Sequence, residues 1–219
     1  EIVELMKDIL LQDGITIRGV YERNDVKVRA KEGLELYKGF WKPSTLPTTT
    51  VINENGLKLN VDVENGQKTG YFLDQKSNRV LLRNMSAGKT VLDCFSHTGG
   101  FALNAAFGGA KHVTAVDVSQ TALDQGLANA KMNNLEERMS FVQDDVFDYL
   151  DKCHPGQYDI IVLDPPAFTK SRRTVNHAYN GYKNINMKAM KLLRQGGYLI
   201  TCSCSRFMET ALFEQRNVE

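Results

Sequence analysis

The chain has 219 residues, 42% hydrophobic and 24% charged, with a formal net charge of +1, ordinary values for one large globular domain or one domain with a small appendage. No stretch is apolar for long enough to span a bilayer and no charged-then-apolar leader opens the chain, so a cytoplasmic protein without membrane contact is expected. Four cysteines (Cys94, Cys153, Cys202, Cys204) form no recognisable disulfide framework, and no ligand pairs stand at metal spacing, so no metal is expected either.

Ile2 to Leu11 has the apolar spacing of an amphipathic helix. Short strand-like segments follow at Ile15 to Val20 and Val26 to Ala30, around the turn signal Glu22-Arg23-Asn24-Asp25. Beyond Pro43–Pro47 come Val51-Ile52, Leu57 to Val63 and Thr69 to Phe72. Leu57, Leu59, Val61 and Val63 alternate with polar residues, which predicts a strand with one buried face. Asn55-Gly56 and Asn65-Gly66 tolerate positive φ and predict two hairpin turns. The expected organisation is a helix remnant of an upstream linker over 1–14, a small antiparallel β-hairpin module over 15–75 and an α/β domain over 76–219.

From Lys89 to Ser205 apolar runs alternate with helical patterns. Thr90-Val91-Leu92 enters Asp93, and an Ala-rich helix runs from Phe101 to Phe107. His112 to Asp117 is a second strand, and Ser119 N-caps a helix reaching Met132. Ser140-Phe141-Val142 and Tyr158 to Leu163 are the third and fourth strands. A helix from Tyr182 to Leu193 stops at Gly196-Gly197, and Tyr198 to Cys202 is the fifth strand. Such alternation predicts a buried parallel sheet with right-handed crossovers.

The chemistry-bearing residues fall at the strand ends. Asp93-Cys94-Phe95-Ser96-His97-Thr98-Gly99-Gly100-Phe101 is a glycine turn without the G-x-G-x-x-G spacing of a pyrophosphate cradle, so NAD fits poorly. Asp117 ends the second strand, where an acid either takes ribose hydroxyls or serves as a plain turn residue. Asp144-Asp145 follows the third strand and can accept from an adenine amino group, N-cap the next helix, or both. A glycine turn without phosphate spacing, with acids after strands two and three, suits S-adenosylmethionine, and Asp93 is the carboxylate expected near its sulfonium.

Asp164-Pro165-Pro166-Ala167-Phe168 ends the fourth strand, and its prolines make a rigid turn that can present an acid and a carbonyl to a nucleobase. Thr201-Cys202-Ser203-Cys204-Ser205 ends the fifth. Cytosine C5 is a poor nucleophile unless a thiolate first adds at C6, which needs a cysteine beside the base. Burial is expected for Cys202, still in the strand, and catalysis for Cys204. Charge is also asymmetric: ten acids and three bases lie between Asp117 and Asp164, whereas Pro165 to Met208 carries eight bases and no acid. That block suits a polyanionic substrate or a solvated helix face.

These motifs resemble the bacterial large-subunit ribosomal RNA cytosine-5 methyltransferase I family, whose members join a PUA domain, a β-hairpin module and a class I methyltransferase domain. The likeness covers nearly the whole chain, through Val28-Arg29-Ala30-Lys31-Glu32-Gly33, Lys68-Thr69-Gly70-Tyr71-Phe72-Leu73-Asp74-Gln75, Asp93 to Phe101, Asp144-Asp145-Val146-Phe147, Asp164 to Phe168, Gly181-Tyr182-Lys183-Asn184-Ile185-Asn186-Met187 and Ser203-Cys204-Ser205. The resemblance implies a Rossmann-like class I fold over 76–219, S-adenosylmethionine as methyl donor, 23S ribosomal RNA as partner and Cys204 with Asp164 as catalytic residues. The cofactor residues would be Tyr71, Gln75, Asp93, Phe95, Thr98, Gly99, Asp117, Val118, Asp145, Val146 and Asp164. Pro165, Pro166, Phe168, Lys170, Arg172 and Arg173 would meet the RNA.

A sister family methylating guanine N7 shares Asp-Pro-Pro-x-Phe but lacks Ser-Cys-Ser. Wider cytosine-5 RNA enzymes carry a second cysteine after the prolines, where Ala167 stands here, so the group taking the C5 proton is unassigned. No PUA-like segment precedes Glu1, and the pattern ends after strand five where this fold usually adds two strands, as in a fragment. Direct transfer to guanine or adenine, or an RNA-binding module without activity, are the competing readings. A homodimer is compatible with all of them.

Overall fold

The computed structural model describes residues 2–169, 175–205, 211 and 213. The chain divides into two compact units, Glu1–Ile52 with Asn60–Leu73, and Asn53–Leu59 with Asp74–Glu219.

The first unit opens with α1 (Ile2–Gln12) and continues through β1 (Tyr21–Asn24), α2 (Val28–Lys31) and β2 (Tyr37–Phe40). β1 and β2 pair antiparallel, with Tyr21 packed edge-on against Phe40 at 5.1 Å. This strand occupies the expected Glu22–Asp25 turn, and Ile15 to Val20 is irregular. Tertiary contacts decide the matter: the Arg23 guanidinium donates to the carbonyls of Val63 and Gly66, both at 3.0 Å. Val26 to Ala30 is likewise not a strand, because local bonds from Arg29 N to Val26 O and from Glu32 N to Arg29 O wind α2 instead. Thr69 to Phe72 forms no strand either. Gly66 and Gly70 press on the Asp62 carbonyl so closely that a Cβ would meet it at 2.3 and 2.6 Å, and Asp62 Oδ1 accepts from the amides of Glu64 and Asn65 at 2.9 Å. The Asn65-Gly66 signal thus makes a compact loop rather than a hairpin.

The Asn55-Gly56 signal does make one, between β3 (Thr49–Glu54) and β4 (Leu57–Asp62). Both turn residues are left-handed, with φ of 52° and 87°, the geometry that matches strand twist. Leu57, Leu59 and Val61 are buried as their alternation predicts. The hairpin tip, 53–59, belongs to the second unit. There Glu54 and Arg79 form a buried two-pronged ion pair, both bonds 2.7 Å. Arg79 lies on α3 (Lys76–Met85), a helix that the sequence pattern did not announce. Arg83, one turn on, donates to Asn104 Oδ1 and to the Asn55 carbonyl.

The rest of the second unit alternates β5 (Thr90–Cys94), α4 (Gly100–Phe107), β6 (His112–Asp117), α5 (Gln120–Met132), β7 (Met139–Gln143), α6 (Val146–Lys152), β8 (Tyr158–Leu163), α7 (Val175–Leu192) and β9 (Leu193–Thr201). The strands order as β7-β6-β5-β8-β9, and their four pairings are parallel. This is the expected doubly wound sheet. Its strands are continuous apolar runs because helices cover both faces, and Leu92, Ile160, Ile161 and Leu163 are wholly buried, each contributing about 1.5–3 kcal/mol. α4 buries Ala102, Ala105 and Ala106 completely. At its end Gly108 meets the Arg83 carbonyl so closely that a Cβ would stand 2.2 Å from it.

Both bounds of α7 differ from expectation, and it begins at Val175 rather than Tyr182. Gly196-Gly197 does not stop α7; it lies inside β9, where the pairing with β8 shifts register between Tyr158 and Ile160. Gly196 is left-handed at φ 76° and a Cβ on Gly197 would meet the Asp159 carbonyl at 2.9 Å, so the glycines make a bulge.

Breaking a buried pair by removing one partner leaves an unpaired charge, at a cost of about 3–5 kcal/mol. Glu54→Ala is therefore expected to lower the urea-unfolding free energy by about that much, whereas the joint change Glu54→Leu with Arg79→Met restores most of it.

Candidate active site

β5 lies mid-sheet, and the chain leaves its neighbours β6 and β8 toward opposite edges, so a crevice opens at their C-terminal ends. Asp93 sits at this point, 1% exposed. Its Oδ2 accepts from the Ala102 amide at 2.8 Å in the first turn of α4. Its Oδ1 is buried with no hydrogen-bond partner among the described residues. Burial first, then the charges of Asp164 and Asp117, push the Asp93 carboxyl up to about 8, against the opposing Ala102 bond.

The glycine turn after β5 is conformationally unusual. Phe95, His97 and Gly99 are left-handed, with φ of 59°, 50° and 77°, and for the two non-glycine residues this stores strain of about 1–3 kcal/mol each. Amide bonds hold it: Ser96 N to Val116 O at 3.0 Å, Gly99 N to Ser96 O at 2.8 Å and His97 N to Asp117 Oδ2 at 2.8 Å. Gly126 of α5 permits this, since a Cβ there would stand 2.8 Å from Phe141 and 3.3 Å from the Thr98 carbonyl. Burial lowers the His97 pKa, keeping the ring neutral.

Asp117 anchors two amides, His97 through Oδ2 and Ser119 through Oδ1. Beside it Val118 is 63% exposed, an apolar surface at a strand end. Asp145 N-caps α6, its Oδ1 accepting from Phe147 and Asp148, while Asp144 pairs with Lys152 at 2.6 Å.

At the ends of β8 and β9 the two remaining motifs meet. Asp164 Oδ2 accepts from Gln75 Nε2 at 3.3 Å. The Cys204 thiol, exposed, lies 3.6 Å from the Pro165 carbonyl. Cys202 is the more enclosed, tied through its amide to Leu163 O at 2.8 Å, and burial followed by the Asp164 charge pushes its thiol up to about 12. A thiol held that high stays protonated at neutral pH.

Residues 39–215 match the family described as S-adenosylmethionine-dependent methyltransferase. The chain belongs to this family. It is 47% identical over 199 residues to ribosomal RNA large subunit methyltransferase I of Klebsiella pneumoniae (strain 342) and 48% identical to that of Pseudoalteromonas translucida (strain TAC 125). Both matches take in 90% of this chain and 50% of the relative, so the chain spans half the length of these proteins. The crystal structure of SMU.776, assigned as a methyltransferase and solved with SAH, superposes with a TM-score of 0.77 at 29% identity, over 99% of this chain and 56% of that one. P. horikoshii TYW2 shares the fold, with a TM-score of 0.56 at 20% identity over 87% of this chain and 58% of that one.

The residues of this chain fit S-adenosylmethionine. S-adenosylmethionine is cationic and has no phosphate. The crevice holds a buried carboxyl with an open oxygen, further acids on the adjoining strand ends and, among the described residues, no phosphate cradle. Among the sequence candidates, Asp93, Phe95, Thr98, Gly99, Asp117, Val118, Asp145 and Asp164 gather at the C-terminal strand ends, and Gln75 joins them through Asp164. Val146 is 1% exposed, so its side chain belongs to the core. Tyr71 is buried and belongs to the first unit. Phe168 packs on Tyr182 at 4.6 Å and lies 6.3 Å from Phe147, a packing position for a residue expected at the RNA. Lys170, Arg172 and Arg173 lie outside the described residues.

Part of the acid-free basic block is paired with acids at the surface. Lys188 pairs with Asp151 at 2.6 Å and Arg194 with Asp159 at 3.2 Å, while Lys183 and Lys191 are exposed. Sequence reasoning named Gln75 for the cofactor but missed its side-chain bond to Asp164, and it missed the bond from the His97 backbone amide to Asp117.

The folded-state pKa of Asp93 exceeds its ordinary 3.8, so its contribution to stability is present below that value and is lost as pH rises toward about 8. Melting of the ligand-free protein across this range is expected to show that loss, and Asp93→Asn to remove the Asp93 share. A bound cation favours ionised Asp93, so calorimetry near neutral pH in buffers of different ionisation enthalpy should show proton release on S-adenosylmethionine binding. Asp93→Asn should abolish the release and weaken binding about 10–100-fold.

Proposed function

We propose that this protein methylates C5 of a cytosine in large-subunit ribosomal RNA, through a covalent adduct on Cys204. The substrate class follows from the relatives at 47% and 48% identity, both named ribosomal RNA large subunit methyltransferase I. Ribosomal RNA would be its partner and the cytoplasm its place of work. The single observation that carries the chemistry is the position of Cys204: exposed, with Sγ 3.6 Å from the Pro165 carbonyl, beside the rigid turn that begins at Asp164.

S-adenosylmethionine, when bound, supplies an electrophilic methyl group. Asp93, Asp117 and Asp145 would hold it, Asp93 by its open carboxyl oxygen. Asp164 and the Pro165–Pro166 turn orient the base, with Gln75 keeping the Asp164 carboxylate in place. The Cys204 thiol must lose its proton before attack. Its sulfur then bonds to C6, and the electron pair of the C5–C6 double bond becomes available at C5 for the incoming methyl group. Loss of the C5 proton restores the double bond, and the C6–S bond breaks to return the thiolate. Cys202 is unsuited to this task because its thiol is held protonated.

The test uses RNA carrying 5-fluorocytosine, where the C5 proton that must leave is replaced. Wild type is expected to form a denaturant-stable protein–RNA adduct and Cys204→Ala to form none and to lose methyl transfer, while Cys202→Ala keeps both. Methylation by Cys204→Ala at the wild-type rate would overturn the covalent route, and nucleoside analysis showing methylguanine or methyladenine would overturn the choice of base.

A further inference from the structure

Residues 202–205, which carry Cys204, belong to no helix or strand. The Cys202 amide still reaches Leu163 O at 2.8 Å, and beyond it the observed bonds come from side chains. The observed bonds converge on one residue of α7. Ser203 Oγ donates to the Tyr182 hydroxyl at 3.0 Å, and the Tyr182 and Ser205 hydroxyls share a bond of 2.9 Å. Ser205 N donates to Ser203 Oγ at 3.3 Å, closing a ring of bonds around the cysteine's backbone. Tyr182 is 2% exposed and Ser205 5%, so the bond between them is shielded from water and costly to leave unmade, while the two bonds of Ser203 are half-buried.

The same tyrosine holds the other motif. Its ring packs against Phe168 at 4.6 Å, and Gly181 lets that ring approach, since a Cβ would stand 3.1 Å from Phe168. One turn along, Asn186 Oδ1 accepts from Thr201 Oγ1 at 3.0 Å, fixing the last residue of β9. The Gly181–Asn186 stretch thus touches the Asp-Pro-Pro-Ala-Phe turn with a ring and the Ser-Cys-Ser segment with a hydroxyl.

We propose that Tyr182 is the positioning residue of the reaction: its hydroxyl, through Ser203 and Ser205, sets the Cys204 thiol against the Asp164–Pro166 turn. The proposal rests on the reading of Cys204 as nucleophile. Positioning of this kind is worth much, since a displacement of about 1 Å costs on the order of a hundredfold in rate.

Tyr182→Phe keeps the ring and removes only the hydroxyl. In the full chain it is expected to slow adduct formation with 5-fluorocytosine RNA at least about tenfold, with S-adenosylmethionine affinity unchanged. Alkylation of Cys204 by iodoacetamide across pH, followed by mass spectrometry, should shift in rate or midpoint. Ser203→Ala should reproduce both effects and Ser203→Thr, which keeps a hydroxyl, should restore them; this pair also serves if Tyr182→Phe fails to fold. An adduct rate and an alkylation profile both unchanged in Tyr182→Phe, or in Ser203→Ala, would overturn the proposal. Methyl transfer by Cys204→Ala at the wild-type rate would instead overturn the cysteine reading, and with it the catalytic meaning of Tyr182, whatever the alkylation profile shows.

Discussion

The site depends on β5 lying between two parallel partners. Because β6 and β8 flank it and the chain departs from them toward opposite edges, no helix can cover the C-terminal end of β5, and a crevice is left there. Asp93 fills the mouth of that crevice. Its carboxylate is buried, held on one side by the Ala102 amide and open on the other. A negative group in that position is costly without a cation beside it, and this explains why a sulfonium cofactor suits the site and a phosphate does not. The neighbouring turn is left-handed at Phe95, His97 and Gly99 and strained at the two non-glycine residues. It faces its amides toward Asp117, Val116 and its own backbone, and Gly126 makes room for it.

A second constraint acts one strand further along. The Asp164 turn and the Cys204 segment end adjacent parallel strands, so sheet pairing alone brings them near each other. Pairing ends at Thr201, however, and cannot orient a side chain three residues later. The packing of α7 supplies that orientation through Tyr182 and Asn186. The two cysteines consequently differ in character although they are two residues apart. Cys202 still follows the sheet and keeps a protonated thiol, whereas Cys204 reaches the surface beside Pro165.

The charged residues divide between site and scaffold. The acid-free block after Pro165 looks like a polyanion surface in sequence, but Lys188 and Arg194 are used to tie α7 and β9 to Asp151 and Asp159. The buried Glu54–Arg79 pair fastens the hairpin tip to α3 in the same unit. Family membership, with 177 residues (39 to 215) inside the match, agrees with the sheet order and with the crevice acids.

Much of the second unit was legible in the sequence because its signals are local. Apolar runs of strand length, Ser119 and Asp145 as caps, and acids at successive strand ends follow from residue chemistry at fixed spacing. The Asn55-Gly56 hairpin was legible for the same reason. The first unit was not. Its segments are short and weakly patterned, so Val26 to Ala30 follows local bonds into a helix, and β1 forms where Phe40 and the Val63 and Gly66 carbonyls reach it. Sequence also named Asp93, Asp164 and Cys204 and could separate Cys204 from Cys202 by its distance past the strand. Only the tertiary structure decided that Gln75 supports Asp164 and that Phe168 packs rather than stands free. It alone showed that one buried tyrosine hydroxyl, 22 positions (204 − 182) before Cys204, holds both serines beside it. Those contacts join residues far apart in the chain, and the spacing of residue types carries no record of them.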